Sequence, residues 1–169
     1  MKDLQKYFKL AKDELDVLEI PYGNITKVIP NSRAKRRYGQ CCRKKDGTYE
    51  INISVRLLED YVPTKSLMEV LIHEILHSCK GCMNHGDKWK EYAEYVNDCY
   101  AYDVQRCGND KRYGLKPLEQ KRKPFKYVVT CNDCGRKFKY RRQCYWFENP
   151  KKYVRCNCGS NNLIVVQNY

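Results

Sequence analysis

No run in this chain approaches the ~18 consecutive apolar residues of a membrane-spanning helix, so no span is expected. The N-terminal Met1-Lys2-Asp3-Leu4-Gln5-Lys6 has no apolar h-region, and no secretory signal is expected there. Histidine is scarce: the 169 residues hold three, all between positions 73 and 85. Acidic residues are scarce in one region only. Between Gln105 and Arg155 there are 16 Lys and Arg against 4 Asp and Glu, while the remainder carries 17 against 16. Most of the net charge of +13 therefore sits in that segment, which points to a polyanion-binding face on an otherwise ordinary domain. A second basic stretch, Lys27 to Lys45, holds eight Lys and Arg and no acid.

Cysteine, by contrast, is abundant. Its number, 11, is odd, which argues against a closed set of disulfides, and the C-x-x-C and C-x-C spacings favour metal ligation in a reducing compartment. A hydrophobic content of 42% suffices for a core, and the length suits one domain, or a core domain plus a small module.

The three histidines organise the chain. In Leu71-Ile72-His73-Glu74-Ile75-Leu76-His77 two of them stand at i and i+4. On a helix these positions lie ~40° apart round the axis and ~6 Å along it, so both imidazoles aim at one point. Glu74, ~100° round from His73, is poorly placed as the next ligand but reaches a water on the ion. That is the geometric sense of H-E-x-x-H: two zinc ligands and a general base. The apolar neighbours Leu71, Ile72, Ile75 and Leu76 put the motif on a buried helix. His85 follows a glycine-containing turn and is the third ligand, which leaves a fourth position open, the catalytic form of a zinc site. Zinc lowers the pKa of its water from ~15.7 towards ~7. Glu74 takes the proton as a peptide carbonyl is attacked and passes it to the leaving amine. Cys79 and Cys82, in the same loop, are expected to pack rather than ligate.

Apolar spacing predicts an amphipathic helix over residues 3–18, ending before Pro21-Tyr22-Gly23. Strand-like stretches follow at Lys27-Val28-Ile29, stopping at Pro30, and at Lys35–Arg43 and Tyr49–Val55, which flank the turn Lys45-Asp46-Gly47. Gly39 suggests a bulge or a close backbone approach. Cys41 and Cys42, adjacent on a strand, face opposite ways and are ordinary strand residues. Thr64 or Ser66 is the expected cap of the motif helix, which should stop near Lys80-Gly81. A second helix is expected over Asp87–Cys99, with Trp89 and Val96 on its packing face, and helix could extend to about Asp103. Residues 108–124, rich in Gly, Pro and charge, suggest a linker.

Beyond the linker, Cys131-Asn132-Asp133-Cys134-Gly135 and Cys156-Asn157-Cys158-Gly159 suggest the two knuckles of a Cys₄ zinc ribbon, with strand-like segments at Lys137–Tyr140, Cys144–Phe147 and Leu163–Val166. The second knuckle is C-x-C rather than C-x-x-C, which leaves Cys144 as an alternative ligand. Arg136, Lys137, Lys139, Arg141 and Arg142 alternate with rings, a pattern suited to single-stranded nucleic acid. Trp146 and Phe147 are better placed as filling for the module's small core.

SRAKRRYGQC before the hairpin, YEINISVRLL after it, HEILH, HGDKW and the terminal C-x-x-C module together resemble the SprT-like family of zinc metalloproteases, related to the Spartan proteases. The resemblance implies an α+β fold: a zincin-like core of helices and a small β-hairpin or sheet over 1–107, a basic linker over 108–124 and a zinc ribbon over 125–169. It implies one catalytic zinc on His73, His77 and His85 with Glu74 as base, and one structural zinc on Cys131, Cys134, Cys156 and Cys158. It further implies cleavage of DNA-associated or DNA-crosslinked proteins by a DNA-binding metalloprotease. The expected partners are DNA with single-stranded character and the proteins bound to it, with no membrane. The chain is expected to be a cytoplasmic monomer, nucleoid-associated in a bacterial or phage setting. The alternative is a non-catalytic DNA-binding or transcription-elongation-associated zinc protein. Glu74 separates the two, since a structural site needs no base.

Overall fold

Helix α2, Thr64–Leu76, is buried nearly all round, and the first part of the chain is built about it. The computed structural model describes residues 1–34, 36–118 and 124–168. Lys35, expected in the basic stretch and hairpin, and residues 119–123 of the expected linker lie outside the described residues. The chain divides into two compact units, Met1–Leu118 and Glu119–Tyr169.

In the first unit α1, Leu4–Val17, is capped by Asp3, whose carboxylate accepts the N–H groups of Gln5 and Lys6 at 3.0 and 3.2 Å. Such a cap contributes about 1 kcal/mol. Helix α1 buries Leu4, Ala11 and Leu15 and packs on α2. Strands β1 (Ile25–Asn31), β2 (Gly39–Arg43) and β3 (Tyr49–Ser54) form a sheet in the order β1-β3-β2, with β1 parallel and β2 antiparallel to β3. Strand β1 continues through Pro30 instead of stopping there. It is an edge strand, so a residue without an N–H costs no ladder bond on the open side. The alternation of β3 buries Ile51 and Ile53 completely, while Val55 already belongs to a 3₁₀ turn, Val55–Leu58. Strand β2 is the other edge and packs on α2.

Helix α2 differs from expectation at both ends. Neither Thr64 nor Ser66 caps it through a side chain; Pro63 precedes its first turn. It ends at Leu76 with His77 as the closing residue, and tight turns from Ser78 to Cys82 replace a further helical turn. Helix α3, Asp87–Tyr100, turns its Trp89, Ala93 and Val96 inward. It stops at Ala101, in the left-handed region, and residues 102–107 continue as an irregular strap. Residues 108–118, expected in the linker, pack onto this unit. Tyr113 and Leu115 are buried, and Asp110 takes a two-pronged bond from Arg56 at 3.0 and 2.9 Å.

In the second unit β4 (Tyr127–Cys131), β5 (Lys137–Tyr140) and β6 (Leu163–Gln167) form an antiparallel sheet in the order β5-β4-β6, with a single helical turn, α4, at Pro150–Tyr153. Cys144–Phe147, expected as strand, instead leads into a 3₁₀ turn at Tyr145–Glu148. The turn lays Trp146 and Phe147 together on the sheet, with Tyr140 to Trp146 at 5.5 Å and Tyr127 to Phe147 at 5.0 Å between ring centres. A strand would have sent the two neighbours to opposite faces. No helix among the described residues is long and apolar enough to cross a membrane.

Candidate metal centres and active-site cleft

His73 lies in the last turn of α2, His77 closes it, and His85 comes from the loop before α3. The Nε2 atom of His73 lies 3.2 Å from Nε2 of His77 and 3.1 Å from Nε2 of His85. Tetrahedral zinc with bonds of 2.0–2.1 Å separates its nitrogen ligands by about 3.3–3.4 Å, so the spacing matches such an ion closely.

Protonation points the same way. His73 Nδ1 lies 3.0 Å from the Gln105 carbonyl and His77 Nδ1 lies 2.7 Å from the Cys82 carbonyl. A carbonyl only accepts, so each Nδ1 carries the proton and each Nε2 presents a lone pair to the centre. Burial, reinforced by the other two imidazoles, pushes His73 down to about 3, and burial also lowers His77 and His85. Neutral imidazoles with converging lone pairs repel one another until a cation lies between them. Trp89 closes the inner side, its ring centre 4.7–5.8 Å from those of all three histidines.

The carbonyl that orients His73 is itself held. Buried Glu69, one turn earlier on α2, accepts the Asp103 N–H at 2.9 Å. Asn97 clamps Val104 reciprocally, accepting its N–H at 2.7 Å and donating to its carbonyl at 3.2 Å. The strap thus delivers Gln105 to His73. Sequence reasoning missed Glu69, Asn97 and the strap, and Trp89 was expected only as packing. Cys79 and Cys82 are fully buried in the core and stand outside the histidine cluster.

Glu74 stands outside the cluster of ligand atoms yet lines the same cleft as His73. Burial pushes its carboxyl up to about 8, against the lowering effects of the Cys41 N–H and the Arg37 charge. Gly39 of β2 is pressed against it. A Cβ at Gly39 would lie 2.5 Å from Glu74 Oε1 and 2.6 Å from its Cγ, so the close approach expected at this glycine is made to the carboxylate. The cleft, about 260 Å³, also takes in Tyr38, Tyr113, Arg36, Arg37 and Arg106.

In the second unit Cys131, Cys134, Cys156 and Cys158 converge. Cys131 and Cys158 are 3.7 Å apart and Cys134 and Cys156 3.5 Å apart, sulfur to sulfur. Zinc–sulfur bonds of ~2.3 Å at tetrahedral angles give about 3.8 Å. Hydrogen bonds from the Cys134 and Asp133 backbone draw the Cys131 thiol down, towards the thiolate a metal needs, while at Cys134 the lowering by the Arg136 N–H is outweighed by the neighbouring sulfurs, which push the thiol up. The C-x-C knuckle turns as the C-x-x-C one does. Gly135 and Gly159 both take positive φ, and each returns its N–H to the first cysteine carbonyl of its knuckle, at 2.9 and 2.8 Å. Cys144 is outside the cluster and packs against the aromatic core.

Arg136, Lys137, Lys139, Arg141 and Arg142 are all exposed. Lys137 and Lys139 share the outer face of β5, while Phe138 and Tyr140 turn to the core. Arg141 lies over the Phe125 ring at 4.2 Å. The alternation of cations and rings therefore separates onto two faces. Among the described residues of this unit the exposed rings are Tyr145, 82% accessible, and Tyr153, 51%, set edge to face at 5.7 Å.

An α+β unit whose central helix and following loop bring three histidines to one point, beside a buried glutamate, carries an H-E-x-x-H sequence whose histidines could hold a metal ion. Residues 4–110 match the model of the SprT-like family, and the chain belongs to that family. No curated protein matches the chain.

Proposed function

We propose that the protein is a zinc-dependent peptidase whose second unit binds DNA, and that its substrates are proteins associated with or crosslinked to DNA. The observation that carries the peptidase reading is Glu74: a buried carboxyl next to the histidine cluster, outside the ligand set and open to the cleft. A structural site has no use for such a group. His73, His77 and His85 would hold the catalytic ion, and Cys131, Cys134, Cys156 and Cys158 a structural one. Zinc, when bound, polarises a peptide carbonyl and acidifies a water. Glu74 takes a proton from the attacking water and returns it to the amine nitrogen as the peptide bond breaks. The ionised form of Glu74 needed for this is favoured once a divalent cation lies beside it. Strand β2, whose outer side pairs with no strand among the described residues, offers an edge along which an extended peptide passes Glu74.

The DNA part of the reading is supported by the charge of the second unit, by Lys137 and Lys139 on one sheet face, and by exposed Tyr145 and Tyr153 near Lys152. Holding DNA there would raise the effective concentration of a bound protein at the cleft, so the cleft itself would need little sequence preference. The test compares wild type with Glu74→Gln on a protein crosslinked to DNA, with and without single-stranded DNA. Loss of the general base should slow cleavage by about 10²–10⁴-fold. Equal cleavage by the two would overturn the mechanism built on Glu74, and no cleavage by wild type would overturn the peptidase reading and leave the non-catalytic one. Cleavage indifferent to DNA would overturn the role given to the second unit.

A further inference from the structure

Three guanidinium groups line the cleft: Arg36 and Arg37 from the loop before β2, and Arg106 from the strap after α3. Arg37 is near enough to Glu74, and Arg106 to His85, for their charges to bear on those groups. The cations thus approach the metal centre from two separate segments. Glu74 is the one carboxylate in the lining, and it is buried and engaged by the Cys41 N–H. Arg36 and Arg106 make no hydrogen bond or ion pair with a described residue, and Arg37 bonds only the Gln40 amide. Elsewhere in this unit Arg56 is paired with Asp110 at 2.9 Å and Arg112 with Asp103 at 3.1 Å, while Arg33 and Arg43 make no ion pair with a described residue. Three of the five arginines of this unit without an acidic partner among the described residues thus line one small cleft that holds a single, buried carboxyl.

From this we infer that the cleft is a subsite for an acidic side chain, Asp or Glu, of the substrate close to the scissile bond. The inference rests on the peptidase reading and names the substrate class for it. Guanidinium forks match carboxylates in shape as well as charge. Tyr38 and Tyr113, edge to face at 4.8 Å, supply an apolar wall for the stem of such a side chain. The volume of about 260 Å³ falls below the ~300–1,000 Å³ of pockets for drug-sized ligands. It suits a side chain better than a stretch of nucleic acid. With His73 and Glu74 in the wall, whatever fills the cleft lies next to the reacting carbonyl.

The test measures binding separately from cleavage. Zinc-loaded Glu74→Gln protein is titrated with peptides blocked at both ends and identical except for Glu or Gln; the blocking removes any contribution from a chain-terminal carboxylate. The Glu peptide should bind about tenfold tighter, the worth of one good charge-assisted contact, and the preference should shrink with added salt. Adding Arg37→Gln and Arg106→Gln should abolish it, and Arg106→Glu should turn the preference towards a Lys peptide. Equal binding of Glu and Gln peptides, or a preference unchanged in the arginine variants, overturns the inference. So does a result in which those variants weaken binding of a single-stranded oligonucleotide while the two peptides stay equal, since the cleft then holds phosphate. A preference that is present while wild type cleaves nothing counts against the peptidase reading alone. Cleavage without preference counts against the subsite alone.

Discussion

Gly39→Ala is the sharpest test of how the cleft is built. The added methyl would lie 2.5 Å from Glu74 Oε1, 2.6 Å from Cγ and 2.8 Å from Cδ, where ordinary contact begins at 3.4 Å. Nearly 1 Å must be found. Glu74 is buried and its backbone is fixed in α2, so either the carboxyl turns from its place or β2 lifts from the helix. Forcing a methyl into such a contact costs ~1–3 kcal/mol of stability. A misplacement of about 1 Å in a catalytic group costs on the order of 10²-fold in rate. No histidine contact is touched, so zinc content should not change. The assays are kcat/KM on a DNA-crosslinked protein, zinc stoichiometry and thermal unfolding. The double variant Gly39→Ala/Glu74→Asp removes a methylene from the crowded site and should recover much of the lost stability while remaining inactive. Cleavage by Gly39→Ala at the wild-type rate would refute the reasoning, as would strictly additive destabilisation in the double variant.

The metal-free first unit should have an unusual pH profile, readable from Trp89 fluorescence in a Trp146→Phe background. His73 is depressed from 6.5 to about 3, so the folded state binds fewer protons than the unfolded one in that window, and stability is lost as pH falls through it. Glu74 is raised from 4.5 to about 8, so there the folded state binds more protons, and stability is lost as pH rises towards 8. Between pH 6.5 and 8 the Glu74 effect acts alone among these two, at ~1.4 kcal/mol per pH unit or about 2 kcal/mol in all. Glu74→Gln should flatten that limb, and parallel profiles would count against a buried neutral carboxyl. Glu69→Ala should free the strap that carries Gln105 and weaken zinc binding at the histidines by about 10–100-fold, whereas Glu69→Gln keeps an acceptor and should bind nearly as wild type. Chelator competition measures both, and equal loss from the two centres would refute a local role. Cys158→Ser should unfold the second unit alone and Cys144→Ser should leave zinc stoichiometry intact. Hydrogen exchange and metal analysis check the pair, and a fall in zinc content with Cys144→Ser would reopen the ligand set.

What was legible in the sequence is what local periodicity encodes. The i, i+4 histidines needed only a helix to converge, and apolar neighbours on both sides supplied it. The amphipathic spacing of residues 3–18 places α1 to within a residue at each end. The four knuckle cysteines are brought together by two short turns, each closed by its own glycine, which is why the C-x-C spacing makes no difference to convergence. Strand β5 falls where its alternation put it, although that alternation directs its cations and rings to opposite faces of the sheet.

The rest depends on partners distant in sequence. Residues 108–118 have the composition of a linker, yet Asp110 is tied to Arg56 and Tyr38, and Tyr113 is buried against Tyr38. Neither Gly nor charge content distinguishes a packed strap from a free one when the partners stand more than fifty positions away. The same holds for Glu69, which has the sequence context of an exposed helix acid but is buried because the strap brings the Asp103 N–H to it. Both stretches bear on the cleft. Residues 103–105 fix the tautomer and direction of His73, while 110–113 hold Tyr38 and with it the start of β2 over Glu74. His73 and Glu74, the candidate ligand and the candidate base, are therefore both positioned by one continuous segment after α3. A change that loosens the segment where it is anchored, at Val104 or Asp110, should disturb metal affinity and proton transfer together, even though neither side chain would touch the ion.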